Sequence, residues 1–108
     1  MEHKKLDEMV KGWFVGDFDP CAFTTSECEV AVKRYREGDC EEAHYHKIAT
    51  EVTLILCGRV RMLNQEWKDG DIIRLSPGEV TDFKAITDVI TVVVKVPSVH
   101  GDKYMVKD

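Results

Sequence analysis

Two histidines one residue apart, His44 and His46, are the side chains in this sequence best suited to chemistry. Because side chains alternate between the two faces of an extended chain, both imidazoles project from one side of a strand. A carboxylate, Glu51, follows five residues after His46. Two imidazoles and one carboxylate can hold a first-row transition metal and leave positions open for other ligands. The same imidazoles can also transfer protons near neutral pH without a metal.

Strand-like segments surround these histidines. Segment 29–36 alternates in side-chain type, and later apolar runs of four to eight residues are separated by turn residues. This spacing is typical of an all-β sandwich or barrel. It also predicts two hairpins, one joining 51–57 to 59–63 and the other joining 82–86 to 89–96.

Two stretches carry a family resemblance. The stretch 38–58, GDCEEAHYHKIATEVTLILCG, resembles the first signature motif of the cupin superfamily, and 70–83, GDIIRLSPGEVTDF, resembles the second. The resemblance implies an antiparallel double-stranded β-helix, the jelly-roll barrel of small RmlC-like cupins, preceded by a short N-terminal helix or arm. The expected division is an N-terminal arm and aromatic loop at 1–28, a barrel at 29–97 and a C-terminal tail at 98–108.

The resemblance also implies that His44, His46 and Glu51 hold a divalent metal such as iron, manganese, nickel or zinc. Cupin metal sites usually have a fourth ligand, a histidine, three residues after the glycine of the second motif. This chain has Thr81 there, and a hydroxyl is a poor ligand beside imidazole and carboxylate. Alternation turns the neighbouring Asp82 to the opposite face. We therefore expect either a three-ligand metal centre or a pocket whose histidines act without metal.

Four further side chains are candidates for a substrate pocket: Lys33, Tyr35, Thr81 and Phe83. In strand 29–36, either Val30 and Val32 or Lys33 and Tyr35 face the barrel interior, and one sequence leaves the choice open. If Lys33 and Tyr35 face inward, their ammonium and phenol groups suit an anionic or oxygen-rich molecule.

Three functional hypotheses follow. The first is a metal-binding cupin whose pocket accepts a small polar molecule, with catalysis left open. The second takes His44 and His46 as catalytic, because some small cupins that the sequence resembles isomerise or epimerise sugars or nucleotide-linked sugars by proton transfer without metal. The third is a non-catalytic module that binds a ligand.

Composition narrows the range of partners and locations. The net charge of −5 disfavours nucleic acid, whose phosphates favour a basic face. Hydrophobic residues make up 44% of the chain and charged residues 32%, as in globular domains, and no apolar run is long enough to cross a membrane. With a charged N-terminus, these features predict a cytoplasmic protein. The resemblance to small cupins implies a homodimer that covers exposed strand edges.

Overall fold

The computed structural model describes residues 1–106, which form eleven strands after a single 3-10 turn at Leu6–Glu8. The strands are β1 (Trp13–Gly16), β2 (Phe23–Thr24), β3 (Glu29–Tyr35), β4 (Cys40–Tyr45), β5 (Thr50–Cys57), β6 (Arg59–Met62), β7 (Gln65–Lys68), β8 (Ile72–Leu75), β9 (Thr81–Ala85), β10 (Val89–Val96) and β11 (Tyr104–Met105). The described part of the chain contains no helix long and apolar enough to span a membrane. The prediction of an all-β fold with a short N-terminal turn is confirmed.

The strands form two sheets. One has the order β2-β1-β3-β10-β5-β8 and the other β11-β4-β9-β6-β7. From β3 to β6 the chain changes sheet at every strand, and β8, β9 and β10 alternate in the same way, which gives the wound topology of a jelly roll. Seven buried apolar residues form the core: Ile55, Val60, Met62, Leu75, Phe83, Ala85 and Val89.

Both hairpins predicted from the sequence are wrong, because the strands of each pair belong to different sheets. Gly58, at φ 101°, makes the connection from β5 to β6. A Cβ on Gly58 would lie 2.3 Å from the carbonyl oxygen of Asp88, so the connection requires glycine. The true hairpin joins β6 to β7 through Leu63 and Asn64, both in the left-handed region that a two-residue turn demands.

The segments expected to flank the barrel also contribute strands. The aromatic loop predicted at Trp13 and Phe14 is instead strand β1, which pairs with β3. The C-terminal segment contains β11, which pairs with β4, and its last two residues, 107–108, lie outside the described residues. These short strands cover sheet edges that would otherwise present unpaired backbone groups.

Strand β10 lies between β3 and β5 and determines which residues face the interior. Its residue Thr91 pairs with Lys33 of β3. Lys33 and Tyr35 line the interior with Thr91, whereas Val32 lies on the other face of β3. The question that the sequence left open is therefore resolved in favour of Lys33 and Tyr35.

Substitution of two motif glycines by alanine tests the sheet-to-sheet connection. Gly38 and Gly58 both have positive φ, but a Cβ on Gly38 would meet nothing within 4 Å. We expect Gly38→Ala to lower the free energy of unfolding by about 1 kcal/mol, through backbone strain alone. Gly58→Ala should cost about 3 kcal/mol or more, because the added carbon also collides with backbone. Urea unfolding measures both values, and equal losses would contradict the assigned crossing.

Candidate metal and substrate site

The two histidines lie at the end of β4, inside the barrel. His44 is the second-to-last residue of β4, and His46 follows its end. Each has only 6% of its surface exposed. Glu51 lies at the start of β5, in the opposite sheet. His44 and Glu51 line one interior cavity, and Glu51 also contacts His46.

Backbone carbonyls orient both imidazoles. Nδ1 of His44 lies 2.8 Å from the carbonyl oxygen of Glu42, and Nδ1 of His46 contacts the carbonyl oxygen of Asp102. Because a carbonyl oxygen only accepts hydrogen bonds, each Nδ1 must carry the proton. When the rings are neutral, each Nε2 therefore has a free lone pair. This is the arrangement usual for histidines that ligate a metal.

His46 faces Glu51. Nε2 of His46 lies 3.6 Å from Oε1 of Glu51, which is an electrostatic contact slightly too long for a hydrogen bond. Among the described residues this buried Nε2 has no hydrogen-bond partner. The Glu51 carboxylate raises the pKa of His46, against the opposite effects of burial and of the Lys95 ammonium. Burial acts to raise the pKa of Glu51, but the net shift is downward because His46, Lys95 and His44 outweigh it.

The ring centroids of His44 and His46 lie 5.7 Å apart, with the planes inclined at 72°. Within residues 1–106, no three His, Cys, Asp or Glu side chains form a ready-made metal cluster. The donor set nevertheless suits a divalent transition metal, because it combines two imidazoles with free lone pairs and one ionised carboxylate. The orphaned Nε2 of His46 is the atom that most needs such a partner.

A cavity of about 30 Å³ lies in the barrel interior. Six of the seven side chains predicted for the site line it: Lys33, Tyr35, His44, Glu51, Thr81 and Phe83. The seventh, His46, does not line the cavity. It contacts Glu51, which does. Thr91 also lines the cavity, and its hydroxyl, like Nε2 of His46, is buried without a partner in the part of the chain described. The cavity is large enough for a few small atoms such as an ion with a water molecule.

Thr81 occupies the position where a fourth ligand is usual. It is buried and pairs in register with His44. Its hydroxyl donates to the carbonyl oxygen of Asp82 at 2.7 Å. The Asp82 side chain is exposed and accepts the N–H of Leu63 instead, so it cannot substitute for the missing histidine.

Glu41 is a site residue that the sequence analysis missed. It lies three positions before His44, and strict alternation would place the two on opposite faces. A register shift between Glu41 and His44 brings both to the cavity. Oε1 of Glu41 accepts the hydroxyl of Tyr35 at 3.2 Å and lies 3.5 Å from the ammonium of Lys33. Burial, followed by the Glu41 carboxylate, raises the pKa of Tyr35, so its phenol stays protonated and acts as a donor.

An open groove of about 560 Å³ adjoins the cavity. The groove and the cavity share three wall residues, Lys33, Tyr35 and Glu41. The N-terminal segment contributes the groove's other side through Leu6 and Met9. A molecule in the groove would therefore contact Lys33 and Tyr35 on the wall that the groove shares with the cavity.

Two further residues near the histidines gave no motif signal. Lys95 of β10 pairs in register with Glu51 on one side and Glu29 on the other, and its ammonium lies 3.7 Å from Oε1 of Glu29. Asp102 is buried, and its carboxylate accepts three backbone N–H groups of the loop after His46. Burial acts to raise the pKa of Asp102, but these N–H groups lower it overall.

Comparison with known proteins finds similarity in structure alone. No protein-family model and no curated protein matches the sequence. An uncharacterized conserved protein with a double-stranded β-helix domain from Klebsiella pneumoniae has a TM-score of 0.71 at 20% identity, with coverage of 78% of this chain and 74% of that chain. An RmlC-like cupin from Shewanella frigidimarina has a TM-score of 0.66 at 15% identity, with coverage of 70% and 71%.

A third similar structure is a protein from Silicibacter pomeroyi described as a sugar phosphate isomerase from a cupin superfamily. Its TM-score is 0.63 at 20% identity, with coverage of 68% of this chain and 52% of that chain. Together with the two wound sheets, these similarities confirm the fold that the two motifs predicted. The chain has the cupin fold, the antiparallel double-stranded β-helix of small RmlC-like proteins.

Proposed function

We propose that this protein binds a divalent transition metal through His44, His46 and Glu51 and accepts a small polar or anionic molecule beside it. The observation that carries the proposal is the state of the two imidazoles. Both donate Nδ1–H to backbone carbonyls, and the Nε2 of His46 is buried without a partner among the described residues. Leaving that nitrogen unsatisfied costs free energy, which metal coordination would recover.

A bound metal would supply Lewis-acid chemistry, with iron, manganese, nickel and zinc as the candidate ions. The chain's own residues would bind and orient the molecule. Lys33 offers a positive charge and Tyr35 a neutral phenol on the wall shared by the open groove and the cavity. Because the Glu41 carboxylate partly neutralises the charge of Lys33, an incoming carboxylate would compete with Glu41 for the Lys33 ammonium.

Metal binding can be tested by calorimetric titration of metal-free protein with Zn²⁺ and Mn²⁺. We expect near-stoichiometric binding of at least one ion, weakened roughly 100-fold or more by His44→Ala, His46→Ala or Glu51→Gln. Glu42→Gln is the matched control, because the Glu42 side chain is exposed and only its carbonyl contacts His44. Equal affinity in all four variants, or no binding by the wild type, would contradict the proposed ligand set.

The preference for an anionic molecule predicts a role for Lys33. We expect Lys33→Met to weaken the binding of small carboxylates about tenfold, through loss of a charge-assisted contact, and to leave the binding of neutral polyols unchanged. Lys84→Met is the control, because Lys84 is exposed on β9, away from the cavity. NMR titration with matched carboxylates and polyols measures both affinities. If the wild type binds polyols more tightly than carboxylates, and Lys33→Met keeps that preference, the anionic assignment is refuted.

Proton transfer by the histidines without metal is the second candidate. The contact between His46 and Glu51 favours it, because a carboxylate beside an imidazole stabilises the protonated ring during transfer. Similarity to a protein described as a sugar phosphate isomerase makes sugar phosphates reasonable first substrates to assay. Turnover that survives exhaustive chelation would favour this candidate. Binding of a sugar phosphate without turnover would support the third hypothesis, a non-catalytic module that binds a ligand.

We also propose that the outer face of the six-stranded sheet pairs two copies of this chain. Three adjacent strands carry apolar residues there, with Val92 of β10 in register between Val32 of β3, which borders the N-terminal segment, and Leu54 of β5. Leu56 and Val96 extend this apolar strip and are 53% and 50% exposed. Exposed apolar surface of this kind marks protein interfaces.

The dimer proposal predicts that a charge in this strip separates the subunits. We expect the wild type to sediment as a dimer and Val92→Lys to sediment as a folded monomer, because the ammonium would have to be buried without a partner. Lys84→Glu changes charge on the other sheet and should leave the dimer intact. A wild-type monomer at all concentrations in sedimentation equilibrium would overturn the proposal.

A further inference from the structure

The C-terminal segment reaches the loop that connects two proposed metal ligands. Asp102 has only 7% of its surface exposed, although its neighbours Gly101 and Lys103 are exposed. Its carboxylate oxygens accept the backbone N–H groups of three consecutive residues, Lys47, Ile48 and Ala49, at 2.9 to 3.2 Å. These three residues lie between His46 and the start of β5, which carries Glu51.

Three consecutive N–H groups that converge on one carboxylate form a preorganised anion cradle. Without the carboxylate, the N–H groups of Lys47, Ile48 and buried Ala49 would lose the acceptor that they share. Asp102 therefore constrains the path of the chain from His46 to Glu51.

The same residue also contacts the histidine ring. The backbone carbonyl of Asp102 accepts Nδ1–H of His46, 56 positions away in sequence. The corresponding bond of His44 goes to Glu42, two positions away on its own strand. The orientation of His44 is thus local, whereas that of His46 depends on the C-terminal segment.

Backbone pairing holds this segment in place. Strand β11 pairs with β4, with Tyr104 opposite Tyr45 and Met105 opposite His44. The rings of Tyr104 and Tyr45 stack at 5.6 Å. At the other end, the hydroxyl of Ser98 donates to Glu29 at 2.8 Å. Asp102 lies between these two anchored points.

We propose that Asp102 is a positioning residue that holds His46 as the Nδ1–H tautomer, with Nε2 directed at Glu51 and free to bind a metal. The Asp102 carboxylate holds the loop that positions His46, and the Asp102 carbonyl accepts Nδ1–H and so selects the tautomer. The consequence for metal affinity rests on the function proposed above, whereas the tautomer is a property of the metal-free protein.

The test compares wild type, Asp102→Ala and Asp102→Asn by NMR of the imidazole nitrogens, in metal-free protein at a pH well above the histidine range. We expect wild-type His46 to be protonated at Nδ1 only, and Asp102→Ala to show both tautomers because the carbonyl is no longer held beside the ring. Asp102→Asn keeps one acceptor oxygen and should give an intermediate result, which also secures the test if Asp102→Ala fails to fold. His44 is the internal control and should keep its Nδ1 proton throughout.

Zn²⁺ titration of the same proteins supplies a second readout, with an expected loss of roughly 10- to 100-fold in affinity for Asp102→Ala. An unchanged His46 tautomer in the variants would overturn the proposal, whatever the zinc affinity. A changed tautomer in His46 alone would support it. If the tautomer changes but even wild type binds no zinc, the positioning role stands and the proposed metal function falls.

Discussion

The pairing of β10 with β3 on one edge and β5 on the other is the constraint on which the rest of the barrel interior depends. Strand alternation allows only one set of side chains from each strand to face inward, and the register aligns these sets in rows. One row contains Glu29, Lys95 and Glu51, so that an ammonium lies between two carboxylates. Another places Lys33 beside Thr91. The interior is therefore polar at one end and apolar where the core cluster lies.

Charge compensation explains how so many ionisable groups remain inside a small domain. Burying an unpaired charge costs several kcal/mol, so each interior charge needs an opposite one nearby. Lys33 is paired with Glu41, at 3.5 Å. Glu51 is paired with His46, at 3.6 Å, and the Lys95 charge also favours its ionised form. The pairing of Glu51 is the least complete in hydrogen-bonding terms, because it leaves Nε2 of His46 without a partner among the described residues. That deficit marks the position where a ligand is expected.

Local sequence patterns together with the two motifs predicted the fold and part of the inward-facing group near the histidines, but left the inward face of β3 open. Alternation and the two motifs predicted that His44, Glu51 and Thr81 would share the interior, and the structure places all three on one cavity. The patterns failed where geometry departs from simple alternation. Glu41 reaches the cavity only through a register shift in β4, which no residue type announces. The predicted hairpin at Gly58 failed because glycine permits a sharp crossing between sheets as readily as a tight turn.

Asp102 could not have been predicted from the sequence, because its partners are 53 to 55 positions away and its surroundings resemble any polar tail. Long-range contacts of this kind depend on the assembled sheets rather than on local pattern. In the folded chain, β11 brings the tail beside β4 and converts an ordinary aspartate into the support of the His46 loop. The proposed site thus draws on both sheets and on the C-terminal segment, although the motifs cover only the middle of the chain.

The most direct test of the central claim is a crystal structure of the metal-loaded protein, with anomalous scattering measured on both sides of the metal's absorption edge. We expect a single strong anomalous peak within bonding distance of Nε2 of His44, Nε2 of His46 and the carboxylate of Glu51. The two Nδ1 atoms should still face the carbonyl oxygens of Glu42 and Asp102. A peak elsewhere on the chain, or a histidine bound through Nδ1, would contradict the claim.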